Sequence, residues 1–176
     1  MAIELYATAG SVEKDLRNHV VIVVDALRAT SVMVTAVEHG VRFIIPVSEV
    51  EEAVDMARQL GNQRVLLCGE RQAKPIPEFH LSNSPLEYTP EMVADRVMVM
   101  TTTNGTRAIL RAKDARVLLL GSFLNASGKT GRTSPSSARA RTASFPWTTS
   151  SAPGRSSPAC WSWTATSTWT TWPARR

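Results

Sequence analysis

The residues of this chain that could do chemistry follow short apolar runs. Asp25 directly follows the run from Val20 to Val24, and Glu70 follows the run from Val65 to Cys68 after one glycine. Apolar runs of this length are typical of strands buried on both faces, and ligands of α/β proteins bind beyond the carboxyl ends of such strands. Because carboxylate oxygens suit a hard cation, Asp25 and Glu70 are predicted to bind Mg²⁺.

Arginines and hydroxyl groups lie close to these carboxylates along the chain. Arg28 and Arg71 suit an oxyanion, because a guanidinium can donate two parallel hydrogen bonds to it. Two predicted helix starts add free backbone N–H groups, which attract phosphate. Together these groups predict phosphoryl transfer, with Asp25, Glu70 and Arg28 as catalytic residues. The predicted phosphate-binding residues are Thr30, Ser31, Arg71, Thr102, Thr103, Asn104 and Thr106.

The same residues also have a structural interpretation. Asp25 at a strand end could cap the next helix, and Glu70 could pair with the arginine beside it. The run from Thr101 to Thr103 is compatible with a strand end, and Asn104-Gly105 is a common turn dipeptide. A non-catalytic α/β module that binds an anion or phosphate at the same edge is therefore the alternative function.

The order of predicted elements determines how these residues come together. A capping box of Ser48 and Glu51 introduces one helix, and Thr89 followed by Pro90 introduces a short helical turn. Strands that alternate with helices over short connections predict an α/β fold, with three α/β/α layers and a mostly parallel sheet. The strands are predicted at 20–24, 42–46, 65–68, 97–100 and 117–120, and the longer helices at 30–39, 51–60 and 106–111.

Five short motifs occur in order along the first 127 residues. They are Val23-Val24-Asp25-Ala26-Leu27-Arg28-Ala29-Thr30-Ser31, Gly69-Glu70-Arg71, Asn83-Ser84-Pro85-Leu86, Thr101-Thr102-Thr103-Asn104-Gly105-Thr106 and Gly121-Ser122-Phe123-Leu124-Asn125-Ala126. In this order they resemble the 2-phosphosulfolactate phosphatase family. The resemblance implies a Mg²⁺-dependent acid phosphatase with an α/β/α fold. It also implies hydrolysis of 2-phospho-3-sulfolactate to 3-sulfolactate and phosphate, on the route to coenzyme M.

The sequence changes character after residue 127. Members of that family continue into a second α/β half, whereas residues 129–176 contain no Leu, Ile, Val or Met. We therefore expect a phosphatase-like domain at 1–127 and a Ser/Thr/Arg/Trp-rich tail at 128–176, either disordered or translated from a shifted reading frame. With the second half truncated, we expect much or all of the activity to be lost. We also expect an exposed apolar flank on residues 1–127 that promotes self-association.

Charge and composition exclude other classes of function. Seven of the 20 basic residues lie after residue 128, so residues 1–128 carry 13 basic and 15 acidic side chains. The basic balance of the whole chain therefore does not indicate nucleic-acid binding. The sequence has no apolar run long enough to cross a membrane, and Cys68 is the one cysteine before the tail. We expect a cytoplasmic protein that acts on a small anionic phosphoester, with a homo-oligomer left open.

Overall fold

The computed structural model describes residues 2–61, 64–126 and 144–145. The strands are β1 Val20–Val24, β2 Phe43–Val47, β3 Val65–Arg71, β4 Lys74–Pro75, β5 Val97–Thr101, β6 Val117–Gly121 and β7 Ser144–Phe145. The helices are α1 Ala29–Glu38, α2 Val50–Leu60, α3 Pro90–Val93, α4 Gly105–Arg111 and α5 Phe123–Ala126. The predictions of disorder or a shifted reading frame for 128–176 lie outside the described residues, apart from the two residues of β7.

The strands form two hydrogen-bonded sheets. In the larger sheet, with the order β2-β5-β3-β4, the first three strands are parallel and β4 is antiparallel to β3. In the smaller sheet, β1 is parallel to β6, and β6 pairs with β7 in antiparallel orientation. The predicted α/β class and the mostly parallel pairing are confirmed, with the described strands divided between two sheets instead of joined in one.

The larger sheet has helices on both faces. All five residues of β5 are buried, and successive side chains of a strand point to opposite faces. Val97 and Val99 pack in a cluster with Ala53 of α2, whereas Met98 and Met100 pack in the main core with residues of α1. This arrangement confirms the three predicted α/β/α layers.

Strand β3 is longer than predicted. It continues past the expected end at Cys68 to Arg71, because the chain turns back at Gln72 and Ala73 into β4. These two turn residues have φ angles of 52° and 60°, as a tight two-residue hairpin turn requires. Glu70 and Arg71 therefore lie within a strand and not after it.

The predicted capping box of Ser48 and Glu51 is wrong. Helix α2 begins at Val50 with Glu49 at the N-cap position, one residue later than that capping box requires. The residue that reaches back is therefore Glu52, whose carboxylate accepts a hydrogen bond from the backbone N–H of Ser48 at 2.9 Å. At α3 the prediction is confirmed, with Thr89 as N-cap and a proline at the first helical position.

Two helix starts lie next to the candidate residues. Helices α1 and α4 begin at Ala29 and Gly105, each one residue before its predicted start. Each follows the carboxyl end of a parallel strand, α1 after β1 and α4 after β5. Within residues 2–61 and 64–126, no helix is long and apolar enough to cross a membrane.

Candidate active site

Asp25 lies where the ends of the two sheets meet. Its backbone N–H donates to Thr30 Oγ1 at 3.1 Å, and the N–H of Thr30 donates back to the carbonyl of Asp25 at 3.0 Å. A Cβ placed on Gly105 would lie 2.8 Å from Asp25 Oδ2 and 2.4 Å from Ala29 Cβ. The glycine therefore allows α4 to begin in direct contact with the turn between β1 and α1.

The surroundings of Asp25 favour its protonated form. Burial raises the pKa of Asp25 above its ordinary value, and the nearby negative charge of Glu70 acts in the same direction. The backbone N–H groups of Ala29 and Gly105 oppose this, because they stabilise the ionised carboxylate. The carboxyl group therefore keeps its proton to higher pH than an exposed aspartate. A cation bound beside it would lower the pKa again.

Glu70 holds the loop that follows β5. One carboxylate oxygen accepts the backbone N–H of Thr103 at 2.6 Å. The other accepts the Thr103 hydroxyl at 3.0 Å and the N–H of Ala73 at 2.6 Å. A carboxylate has about four lone-pair positions, so these three donors leave little room for a cation. The geometry thus favours Glu70 as an anchor, and its predicted role as a metal ligand stays a prediction.

Arg71 connects the ends of three strands. Its guanidinium donates to the Ser48 carbonyl at 2.8 Å, to Thr101 Oγ1 at 2.9 Å and to the Thr102 carbonyl at 3.3 Å. Glu49 lies 3.7 Å from the same guanidinium. Most of the hydrogen-bonding capacity that the sequence assigned to phosphate is therefore used to bind β3 to the ends of β2 and β5.

The hydroxyl groups of Thr30 and Ser31 also bind backbone. Thr30 Oγ1 donates to the carbonyl of Gly121 at 2.7 Å, and Ser31 Oγ donates to the carbonyl of Ala26 at 2.7 Å. Both side chains are buried. They hold the β1–α1 turn in shape and join it to the end of β6. Their contact with phosphate stays a prediction. In this structure both hydroxyl protons are already donated to backbone carbonyl groups.

Thr102 and Thr106 cap the start of α4. The N–H of Thr106 donates to Thr102 Oγ1 at 3.0 Å, and the N–H of Thr102 donates to Thr106 Oγ1 at 3.0 Å. Both residues are buried, so a ligand in solution does not reach these hydroxyls in this arrangement. The pair instead fixes the loop that presents Thr103 and Asn104.

Three of the sequence-predicted side chains remain open to a ligand. Asp25 is half-buried, and Arg28 and Asn104 are exposed. Among the described residues, no side-chain hydrogen bond involves Arg28 or Asn104. Thr103 is half-buried, and its hydroxyl already contacts Glu70. The structure thus separates the predicted set into residues that can meet a ligand and residues that position them.

The donor set for a cation is small. Among the described residues, no three His, Cys, Asp or Glu side chains lie close enough together to hold a metal ion. Mg²⁺ in phosphoryl-transfer sites commonly takes one or two carboxylates, and its remaining ligands are waters and substrate oxygens. Asp25 fits that pattern, since it is a half-buried carboxyl group whose ionised form a cation would stabilise. Glu70 fits it less well.

Asn83 is a site candidate that the sequence predictions missed. Its side-chain Oδ1 is buried, and no described residue donates a hydrogen bond to it. The segment before it runs beside β3, with Gly69 N–H donating to the Leu81 carbonyl at 3.0 Å, so Asn83 follows that segment toward the carboxyl end of β3. Buried polar atoms normally have partners. The segment is not an apolar run, so the rule that ligands bind beyond the carboxyl ends of apolar strands did not point to Asn83.

Cys68 is a structural residue of β3. Burial raises the pKa of its thiol to about 12, and a thiol of that kind is neutral at physiological pH. The side chain is fully buried in the main core. Cys68 is therefore not a nucleophile in this site.

Comparisons with known proteins agree with the motifs. The sequence model of a family described as 2-phosphosulpholactate phosphatase matches residues 6–132. A probable 2-phosphosulfolactate phosphatase of Caldanaerobacter subterraneus subsp. tengcongensis is 46% identical over 128 residues, which are 72% of this chain and 53% of the relative. Proteins of the same name from Clostridium novyi and Clostridium acetobutylicum are 46% and 44% identical over 127 and 126 residues, covering 72% and 71% of this chain and 54% and 53% of theirs. The chain spans about half the length of these curated relatives.

Proposed function

We propose that this chain, which belongs to the 2-phosphosulpholactate phosphatase family, carries a phosphoric monoester hydrolase site centred on Asp25. The proposed reaction hydrolyses 2-phospho-3-sulfolactate to 3-sulfolactate and phosphate, the type used in coenzyme M biosynthesis. One observation supports the placement most strongly. The carboxyl group of Asp25 lies beside the backbone amides of Ala29 and Gly105, at the carboxyl ends of strands from both sheets.

The proposed substrate matches the charges that remain open at this site. It carries a phosphate, a carboxylate and a sulfonate, all of which are anions at neutral pH. The exposed guanidinium of Arg28 can pair with one of them, and the amino end of α1 favours negative charge. Asn104 can donate a hydrogen bond from its side-chain amide. The groups of this chain therefore bind and orient an anion of this class.

We propose Mg²⁺ as the cofactor, with Asp25 as the ligand that this chain supplies. A bound Mg²⁺ would neutralise charge on the phosphate oxygens. Glu70 and Arg71 are proposed to act as positioning residues, because their hydrogen bonds fix the loops after β2, β3 and β5. The two threonines that cap α4 do the same for the loop bearing Asn104. A cytoplasmic location also belongs to the proposal, since Cys68 is a free thiol.

The test of the proposed function is phosphate release from 2-phospho-3-sulfolactate by the purified chain. We expect slow release with Mg²⁺, none after chelation with EDTA, and none from an Asp25→Asn variant. Glu51→Gln is the control, because this exposed carboxylate makes no side-chain hydrogen bond among the described residues. Release that continues unchanged in the Asp25→Asn variant would overturn the proposal.

The second candidate is a non-catalytic module that binds the same anions. The chain spans about half the length of the curated relatives, and few open groups remain around Asp25. Binding of 3-sulfolactate or phosphate that depends on Arg28, without any phosphate release, would favour this candidate. Calorimetric titration of the chain with each anion, run beside the hydrolysis assay, distinguishes the two functions.

A further inference from the structure

One face of the paired strands β1 and β6 is apolar, with exposed residues on β1 and half-buried residues on β6. Its residues alternate along β1 and pair with their partners in β6, so that all six residues lie on one face. On β1 the exposed fractions are 54% for Val20, 59% for Ile22 and 66% for Val24. We call this surface the outer β1–β6 face. It consists of Val20, Ile22, Val24, Val117, Leu119 and Gly121.

The opposite face of the same two strands is part of the core. Val23, Leu118 and Leu120 are buried, and they pack in the main cluster with residues of α1. Parallel strands occur almost only in sheets covered on both faces, and for that reason their sequences are apolar throughout. The outer β1–β6 face has the composition of a covered surface, but in the described part of the chain its β1 residues are exposed.

The match to the relatives covers only about half of their length. The alignments cover 53% and 54% of two relatives named as probable 2-phosphosulfolactate phosphatases, and the family model matches this chain up to residue 132. That point lies shortly after β6, one of the two strands of this face, and after α5, which follows β6. Nearly half of each relative thus lies outside the match, and that part is long enough to supply a layer over this face.

We propose that the outer β1–β6 face is the docking surface for the polypeptide half that the relatives possess beyond the matched region. The face carries no charged side chain, so its occupant presents an apolar layer of similar length, as a helix packed on a parallel sheet does. This inference concerns binding and does not depend on the proposed phosphatase activity.

The experiment mixes the purified 176-residue chain with the separately expressed unmatched half of the Caldanaerobacter relative. Light scattering after size-exclusion chromatography gives the stoichiometry, and calorimetry gives the affinity. We expect a one-to-one complex. Ile22→Asp and Val20→Asp should each weaken the complex by about tenfold or more, because a charge would be buried in an apolar contact.

Leu86→Asp is the matched control, since Leu86 is a large exposed apolar residue in the short 3-10 helix Pro85–Glu87, outside this face. It should leave the affinity unchanged. Circular dichroism melts show whether each variant is folded. Because two positions on the face are substituted separately, the test remains valid if one variant fails to fold. Three results would overturn the inference: no complex, a complex unaffected by both aspartates, or a homodimer of the chain that the aspartates disrupt.

Discussion

Asp25 is held in a position that disfavours the charge its proposed chemistry requires. Burial raises its pKa, so the folded protein holds the proton more tightly than the unfolded chain does. The stabilising effect of the protonated group is complete below the unfolded pKa, and it is lost as pH rises through the higher folded value. At neutral pH the ionised carboxylate therefore reduces stability, as is common for groups kept for function.

We expect the Asp25→Asn variant to melt at a higher temperature than the wild type at about pH 7, with a smaller difference at about pH 4. Mg²⁺ should raise the melting temperature of the wild type and leave that of the variant unchanged, because only the carboxylate binds the cation. Thermal melts followed by circular dichroism at both pH values check this. A variant that is less stable than the wild type at neutral pH would contradict it.

We expect the Glu70 carboxylate to contribute more to the free energy of unfolding than an exposed surface carboxylate does. In Glu70→Gln, an amide NH₂ group replaces one oxygen and faces backbone N–H groups that need an acceptor. We expect a loss of about 2 kcal/mol in the free energy of unfolding, from urea titration. Glu51→Gln, on an exposed helix surface, should change it by less than about 0.5 kcal/mol. Equal effects of the two substitutions would show that Glu70 is no anchor.

The contact between the start of α1 and the start of α4 depends on a glycine, Gly105, which has no side chain. Gly105→Ala would place a Cβ 2.4 Å from Ala29 Cβ and 2.8 Å from Asp25 Oδ2. We expect destabilisation of about 1–3 kcal/mol, because the helix starts must separate. Gly10→Ala is the control, since a Cβ there meets nothing within 4 Å. Urea titrations of both variants test this, and a neutral Gly105→Ala would mean that the two elements are not in contact.

The elements themselves could be predicted from the sequence because their signals are local. Continuous apolar runs identify β1 and β5, and Thr89 before Pro90 identifies the start of α3. The end of β3 could not be read in this way, because it depends on a hairpin at Gln72 and Ala73 with no glycine to signal the turn. The division into two sheets was also missed, since strand order is not encoded in any single run.

The roles of the site residues were harder to predict for the same reason. The Thr30 hydroxyl bonds to Gly121, 91 positions away, and Glu70 bonds to Thr103, 33 positions away. Residue type and position placed Thr30 just after β1, as observed, whereas Glu70 lies within β3 and not after it. Only the fold shows that their hydrogen bonds are taken up by backbone. Asn83 opens one of the five motifs, but no local pattern indicated that its side-chain oxygen is buried without a partner among the described residues.

Shortening a side chain to alanine should change the free energy of unfolding differently on the two faces of β1. Val23 is buried and Ile22 is 59% exposed, although they are neighbours of similar size. We expect Val23→Ala to cost about 2 kcal/mol and Ile22→Ala less than about 1 kcal/mol in the free energy of unfolding. Urea titration of the 176-residue chain measures both. A larger loss at Ile22 would mean that the outer β1–β6 face is already covered.

Asp25 is proposed to be the carboxylate at which a cation and a phosphate group meet. Calorimetric titration of inorganic phosphate into the chain, with and without Mg²⁺, tests it most directly. We predict Mg²⁺-dependent binding in the wild type and none in Asp25→Asn, at a pH where both proteins are folded. Equal binding of phosphate by the two proteins would contradict this role of Asp25.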